Sequence, residues 1–296
     1  MRRGTYSIVA RDPSTGEVGA AVQSHWFAVG PIVPWVRAGV GAVCTQSVAE
    51  RAHGPAVLDR LQDGLGARKA LTEVVRADEQ AAVRQVGVVD ARGAAAVHTG
   101  EHCLEFAGHE TVDGFAAQAN MMASASVWPA MARAFEAAVG PLARRLLAAL
   151  HAAEAQGGDV RGRQSAALVV APAAGEAWRH VVDVRVDDHP QPLAELDRLL
   201  DLRDAYDLAG QGDDLLALGR HEEAGERYAQ AAEIAPANDE LRFWAGLAAA
   251  QGGDLPRGLE HVRAAIAVHA GWRDLLDRLP PEFAPAAATV RDALRE

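Results

Sequence analysis

Gly4-Thr5 stands at the head of the first strand-like run of the chain, Thr5–Arg11. A threonine hydroxyl is a poor nucleophile until a base takes its proton, and the α-amine of an N-terminal threonine is such a base. That amine titrates at about 7.7–8.0, so a useful fraction is neutral near pH 7. An internal Thr5 has only an amide nitrogen, which cannot act as a base. The chemistry therefore requires removal of residues 1–4. The preceding glycine suits that step, because without a Cβ it tolerates the strained backbone a hydroxyl needs to attack its own peptide bond. The same two residues also fit an ordinary first position of a β-strand, so the rest of the chain must decide.

Polar residues set into otherwise apolar stretches are the candidates to assist. Gln23, Ser24 and His25 close the run Val18–Ser24. An imidazole titrates near neutrality, so His25 is a candidate for proton transfer, or else a hydrogen-bonded histidine beside Trp26. Gln46 and Ser47 end a third run. In Gln118-Ala119-Asn120 the Asn120 side-chain amide can hold an oxyanion or cap a turn. Asp159-Val160-Arg161-Gly162-Arg163-Gln164-Ser165 leads into apolar Ala166–Val170. A guanidinium there suits bidentate capture of a substrate carboxylate, with Asp159 orienting it; a structural Arg–Asp pair is the alternative. Arg163 is preferred to Arg161 because Gly162 and Ser165 leave it room. The catalytic candidates are thus Thr5, Ser24, His25 and Asn120, and the substrate-binding candidates Gln23, Gln46, Asp159, Arg163, Gln164 and Ser165.

Metal and cofactor chemistry find less support. His98, His102, Cys103 and His109 cluster in sequence, as do Asp183, Asp187, Asp188 and His189, but neither group has a compact zinc spacing. Cys44 reads as a small core residue. Phosphate-cradling glycine loops are missing, and Gly39-Val40-Gly41 reads as sheet packing. No metal and no cofactor are expected.

The elements that must position these residues come next. Thr5–Arg11 and Val18–Ser24, joined by the turn residues Asp12-Pro13-Ser14-Thr15-Gly16, predict an antiparallel hairpin. Gly39–Ser47 is a third extended run, and Arg84–Asp90 with Ala94–Thr99 flanks a second hairpin turn. Helical periodicity places Val57, Leu58, Leu61 and Leu65 on one face, and Ala67, Ala70, Leu71, Val74 and Val75 on another. A further helical block over 127–156 breaks at Gly140-Pro141 and stops at Gly157-Gly158. Strands return at Gln164–Ala171 and Trp178–Val186. The alternation predicts an α+β domain, sheet layers covered by helices, over residues 1–195.

From about Pro190 the pattern is helical and repeats. Gly212, Gly219, Ala224, Tyr228, Ala231 and Pro236 are matched 34 residues later by Gly246, Gly253, Gly258, Val262, Ala265 and Ala270. Thirty-four is the period of tetratricopeptide helix pairs, which the segment Gly219–Pro236 resembles. Two repeats, about 205–238 and 239–272, form an all-α module over 196–296. Two are fewer than independent stability needs, so the array is expected to dock on the preceding domain or on a protein partner.

The stretches Thr5–Asp12, Ala21–Gly30, Val33–Trp35, Ala38–Val43, Thr45–Ser47, Gln85–Asp90, His98–Gly100 and Gly162–Ala167 resemble DUF1028, a bacterial and archaeal family of unknown function. The resemblance covers about residues 5–200. It implies the fold of the N-terminal nucleophile hydrolases, a proteasome-like four-layer αββα sandwich, and an amidohydrolase with Thr5 as nucleophile. Members commonly begin with Met directly before the Thr-aromatic-Ser stretch; here Arg2-Arg3-Gly4 intervene, so either Gly4-Thr5 is self-cleaved or the start lies later. The Asp and Lys that proteasome-type enzymes use to tune the threonine have no counterpart: Ser24 ends the second strand, and the one lysine, Lys69, falls in a predicted helix. Two other readings follow from this departure. One is an inactive scaffold whose C-terminal helices bind a protein; the other is a hydrolase using Ser24 or His25 without processing.

Composition narrows the setting. With 296 residues, a net charge of −11 and 49% hydrophobic content, the chain reads as folded and acidic, and no basic cluster offers a nucleic acid its counterions. No apolar run reaches the ~20 residues of a membrane helix. Two cysteines make no disulfide framework, and cytoplasm is the default compartment. A small amide or peptide-like substrate is the expected partner. Self-association is compatible with a proteasome-like sandwich.

Overall fold

The computed structural model describes residues 4–295. The chain divides between Asp197 and Arg198 into two compact units.

Among the described residues the first unit contains ten strands. They are β1 (Thr5–Arg11), β2 (Val18–Ser24), β3 (Pro34–Arg37), β4 (Gly41–Ser47), β5 (Arg84–Asp90), β6 (Ala95–Thr99), β7 (Gly108–Val112), β8 (Phe115–Asn120), β9 (Ser165–Ala171) and β10 (Val182–Val186). Helices α1 (His53–Gln62) and α2 (Ala67–Arg76) fall between β4 and β5, and α3 (Val127–Ala137) and α4 (Leu142–Ala155) between β8 and β9. Both predicted hairpins form, and the predicted helical block breaks where Gly140-Pro141 stands. The strand expected from Trp178 begins only at Val182. The β7–β8 hairpin was not foreseen, although Asp113-Gly114 between two extended runs is a two-residue turn signal.

Six strands form one antiparallel sheet in the order β10-β9-β2-β1-β8-β7, and four form a second in the order β3-β4-β5-β6. The sheets face each other over Val9, Val18, Val22, Val33, Ala42, Cys44 and Val89. Helices α3 and α4 pack on the outer face of the first sheet, and α1 and α2 on that of the second. Strands β2, β4, β5 and β9 are therefore buried on both faces, which is why they are small and apolar rather than alternating. Burial on both sides pushes the Cys44 thiol up to about 12, so it stays a protonated core group.

The turn before β2 is built by Asp12. Its carboxylate accepts from the Ser14 amide at 2.8 Å and the Ser14 hydroxyl at 2.6 Å, and Gly16 supplies φ +75°. Register follows from that turn: Thr5 lies opposite Ser24, and Tyr6 opposite Gln23.

Helix α5 (Pro192–Ala217) spans the division, and the second unit continues with α6 (His221–Ile234), α7 (Asp239–Gln251), α8 (Leu255–Val268), α9 (Gly271–Arg278) and α10 (Ala287–Ala293). Equivalent positions of the sequence repeat make equivalent contacts. A Cβ on Gly212 would lie 2.9 Å from the Tyr228 ring, and one on Gly246 would lie 2.8 Å from Val262 Cγ2. Gly246 and Gly258 also pack backbone to backbone. The last helices complete the core: Leu276, Leu279, Ala287 and Val290 bury Phe243, Leu247, Val262 and Ala265.

Candidate active site

Thr5 starts the strand β1 at the centre of the six-stranded sheet, between Ser24 on β2 and Asn120 on β8. Its side chain is 1% exposed. Three polar groups surround the carbonyl oxygen of the residue before it. The Thr5 hydroxyl lies 2.6 Å from Gly4 O, the Ser24 hydroxyl 2.6 Å, and Arg161 Nη2 2.9 Å. Thr5 Oγ1 is also 3.0 Å from Ser24 Oγ. A consistent set of protons has Ser24 and Arg161 donating to Gly4 O while Thr5 donates to Ser24. A lone pair of Thr5 Oγ1 is then free beside the polarised Gly4 carbonyl.

Arg161 reaches this point because Asp159 holds it. The Asp159 carboxylate accepts from Arg161 Nη2 at 2.7 Å, Arg161 Nε at 3.1 Å, the Arg161 amide at 3.0 Å and the His25 amide at 3.1 Å. The side chain of Asp159 is fully buried, and charge-assisted bidentate geometry fixes the guanidinium plane. The same carboxylate closes over Gly4: a Cβ there would sit 2.7 Å from both carboxylate oxygens, so only glycine fits without displacing them.

Below Thr5 lies a buried layer of amides between the sheets. Thr5 O accepts from Gln46 Nε2 at 3.0 Å and Asn120 Nδ2 at 3.4 Å. Both amides also donate to Gln85 Oε1, at 2.8 and 3.0 Å, and Gln85 Nε2 donates to Thr99 Oγ1 at 3.0 Å. Ser7 donates to Gln46 Oε1 at 2.6 Å and Gln118 donates to Cys44 O at 3.0 Å. Partners that are themselves fixed leave the Thr5 backbone a single orientation.

Of the residues singled out from sequence, Thr5, Ser24, Gln46, Asn120 and Asp159 converge here. The side chains of the others go elsewhere. Gln23 pairs with Tyr6, on the opposite face of the sheet from Thr5, and its buried amide has no hydrogen-bond partner among the described residues. His25 contributes its backbone amide, while its Nδ1 is buried with no hydrogen-bond partner among the described residues. Ser165 accepts from the Val29 amide at 3.1 Å and donates to Trp26 O, a loop-holding role. Gln164 donates to Asp188 at 3.0 Å at the surface. Arg163 is half exposed and lies 3.5 Å from Glu154, whose other oxygen accepts from Tyr6 OH at 2.8 Å. The guanidinium that reaches Gly4 O is that of Arg161 and not of Arg163: Gly162 turns the chain at φ +100° and separates the two side chains. Asn120 serves the carbonyl of Thr5, not that of Gly4. Sequence reasoning also passed over Gln85, whose mark was a polar residue in an apolar strand.

Burial, and then Glu154, hold the Tyr6 hydroxyl well above its usual range, so it stays a proton donor to that carboxylate. The histidine cluster disperses: His98 bonds to Ala81 O at 2.8 Å and His109 to Thr99 Oγ1 at 2.9 Å. Among the described residues no three His, Cys, Asp or Glu side chains converge to hold a metal ion, and no helix is long and apolar enough to cross a membrane.

The family model described as "Family of unknown function (DUF1028)" matches residues 5–196. The chain belongs to the DUF1028 family. The match takes in every residue around Thr5 described above except Gly4. The DUF1028 fold is also seen in the crystal structure of protein SPO2555 from Silicibacter pomeroyi, which is 35% identical, superposes with a TM-score of 0.61, and is aligned over 67% of this chain and 84% of that one. No curated protein matches the chain.

Proposed function

We propose that this DUF1028 protein is an N-terminal nucleophile amidohydrolase acting on a small amide or peptide-like substrate, with Thr5 as nucleophile after removal of residues 1–4. The observation that carries the reading is the convergence of Ser24 and Arg161 on Gly4 O with the Thr5 hydroxyl beside it. Helices outside two facing sheets, with a threonine at the head of a central strand, are the arrangement an αββα N-terminal nucleophile fold uses. Fold likeness alone does not establish activity, so the site carries the argument.

In the first event Thr5 Oγ1 bonds to the Gly4 carbonyl carbon and charge gathers on Gly4 O, where Ser24 and Arg161 stabilise it. The Gly4–Thr5 C–N bond breaks, the Thr5 hydroxyl proton ends on the freed amine, and water hydrolyses the ester. In turnover the free α-amine takes the hydroxyl proton while Thr5 attacks the substrate carbonyl, then gives it to the leaving amine. Water releases the acyl group. The C-terminal helices, read as two tetratricopeptide-like pairs, are a protein-binding module in this view, and cytoplasm remains the expected setting. Residues 1–3 lie outside the described residues.

A second reading, an inactive scaffold whose C-terminal helices bind a protein partner, draws on the enclosure of Thr5: with Gly4 attached, no substrate reaches its hydroxyl. Intact mass and N-terminal sequencing of the purified chain separate the two. A chain beginning at Thr5, with the Thr5→Ala variant retaining Gly4, supports the hydrolase. If Gly4 is retained, a chain in which Thr5 directly follows the initiator methionine is tested next. Failure of that chain to cleave any amide leaves the scaffold.

A further inference from the structure

Resting on the reading of Thr5 as nucleophile, we infer that the acyl site accepts only acyl groups whose α-carbon bears no side chain, acetyl or N-acylglycyl amides and esters, and that Asp159 is the residue that sets this limit.

Gly4 is an acyl group already seated at the nucleophile. Its carbonyl oxygen occupies the position where Ser24 and Arg161 donate, and its α-carbon faces the Asp159 carboxylate. An L-side chain on that carbon would begin 2.7 Å from Oδ1 and Oδ2 and 2.8 Å from Cγ of Asp159. A flexible, exposed carboxylate would swing aside. This one is buried and accepts four hydrogen bonds, three of them from Arg161. Displacing it costs those bonds and carries Arg161 away from the carbonyl it polarises. A bulkier acyl group is thus penalised twice, by contact in the bound state and by loss of an oxyanion donor in the transition state. The second penalty falls on kcat and not only on KM.

The experiment uses the full chain with Thr5 at its terminus and three activated esters: p-nitrophenyl acetate, N-acetylglycine p-nitrophenyl ester and N-acetyl-L-alanine p-nitrophenyl ester. Thr5 Oγ1 bonds to the acyl carbon, p-nitrophenolate leaves, and the hydroxyl proton passes to the α-amine. Phenolate release gives the rate, and peptide mass mapping locates the acyl adduct. The acetyl and glycyl esters should acylate Thr5 at least about tenfold faster than the alanyl ester, the scale on which pockets discriminate one methyl group. Asp159→Ala should lower the rate with every ester while bringing the glycyl-to-alanyl ratio close to one. Thr5 adducts formed equally fast from glycyl and alanyl esters would overturn the inference and leave the nucleophile reading standing. Absence of any Thr5 adduct, or the same adducts in Thr5→Ala, would overturn both. Circular dichroism and urea unfolding of Asp159→Ala establish that it folds; if it does not, Asp159→Asn, which keeps the shape, should preserve the selectivity and slow the reaction.

Discussion

Ser24 and Arg161 donate to a single acceptor, the carbonyl oxygen of Gly4, from opposite ends of the first unit's sequence, at 2.6 and 2.9 Å. Two donors aimed at one carbonyl outside any sheet ladder make a site for negative charge. Removing one such donor typically slows acyl transfer by about 10²–10³-fold. Ser24→Ala is accordingly expected to slow release of residues 1–4 by about two orders of magnitude. Time courses of intact mass after synthesis in a cell-free system measure this directly, and processing at the wild-type rate would remove Ser24 from the mechanism.

The two arginines of one loop should behave differently. Arg161→Gln removes a charged donor and leaves the buried Asp159 carboxylate with two backbone amides only. It should slow processing at least as much as Ser24→Ala and lower the urea midpoint of the first unit, since breaking a buried pair costs about 3–5 kcal/mol. Arg163→Gln loses a half-exposed ion pair with Glu154 and should change stability by no more than about 1 kcal/mol, with processing intact. Equal effects from the two variants would contradict the placement of Arg161.

Acid should weaken the first unit in two stages. Burial pulls the His53 pKa below 6.5, outweighing Asp78, whose carboxylate lies 3.2 Å away. The unfolded chain then binds the extra proton first, so stability falls as pH drops below about 6.5. Burial also raises Asp78, but the hydrogen bond from Arg84, the Gln80 amide and the nearby charges outweigh it and leave Asp78 below 3.8. Its contribution is present above that value and disappears as pH falls through the folded value. Urea midpoints measured from pH 8 to pH 3 should decline across both windows. His53→Gln should flatten the first; a midpoint already flat between pH 7 and 5 in the parent chain would refute the assignment.

The helical unit offers a paired test of its contacts. Gly246→Ala places a methyl 2.8 Å from Gly258 O and should cost about 1–3 kcal/mol. Gly225→Ala, in the middle of α6 with open space around it, should stabilise by about 0.5–1 kcal/mol because alanine has less backbone freedom to lose. Thermal melts of both variants are sufficient. The same sign for both would mean that Gly246 does not mark a close helix crossing.

Much of this architecture is legible in the residues alone, for local reasons. Asp12, Ser14 and Gly16 dictate a turn between two extended runs; Gly140-Pro141 cannot continue a helix; small residues spaced 34 apart mark where helices touch. Ser24 and Asn120 stand out in the sequence as polar residues that end apolar strands, and Thr5 as the threonine after a glycine at the head of one. Which of Gln23 and Ser24 joins Thr5 is not legible there, since a shift of one residue in the hairpin turns every side chain to the other face. Nor is the choice between Arg161 and Arg163. Gly162 reverses the chain between them, and the acceptor of Arg161 is the carbonyl of Gly4, just before a strand distant in sequence. Propensity and pattern act over a few neighbouring residues, whereas the Gly4 oxygen is shared by two donors far apart in sequence, each within about 3 Å. Only the packed sheets and the loop after α4 bring Ser24, Thr5 and Arg161 that close.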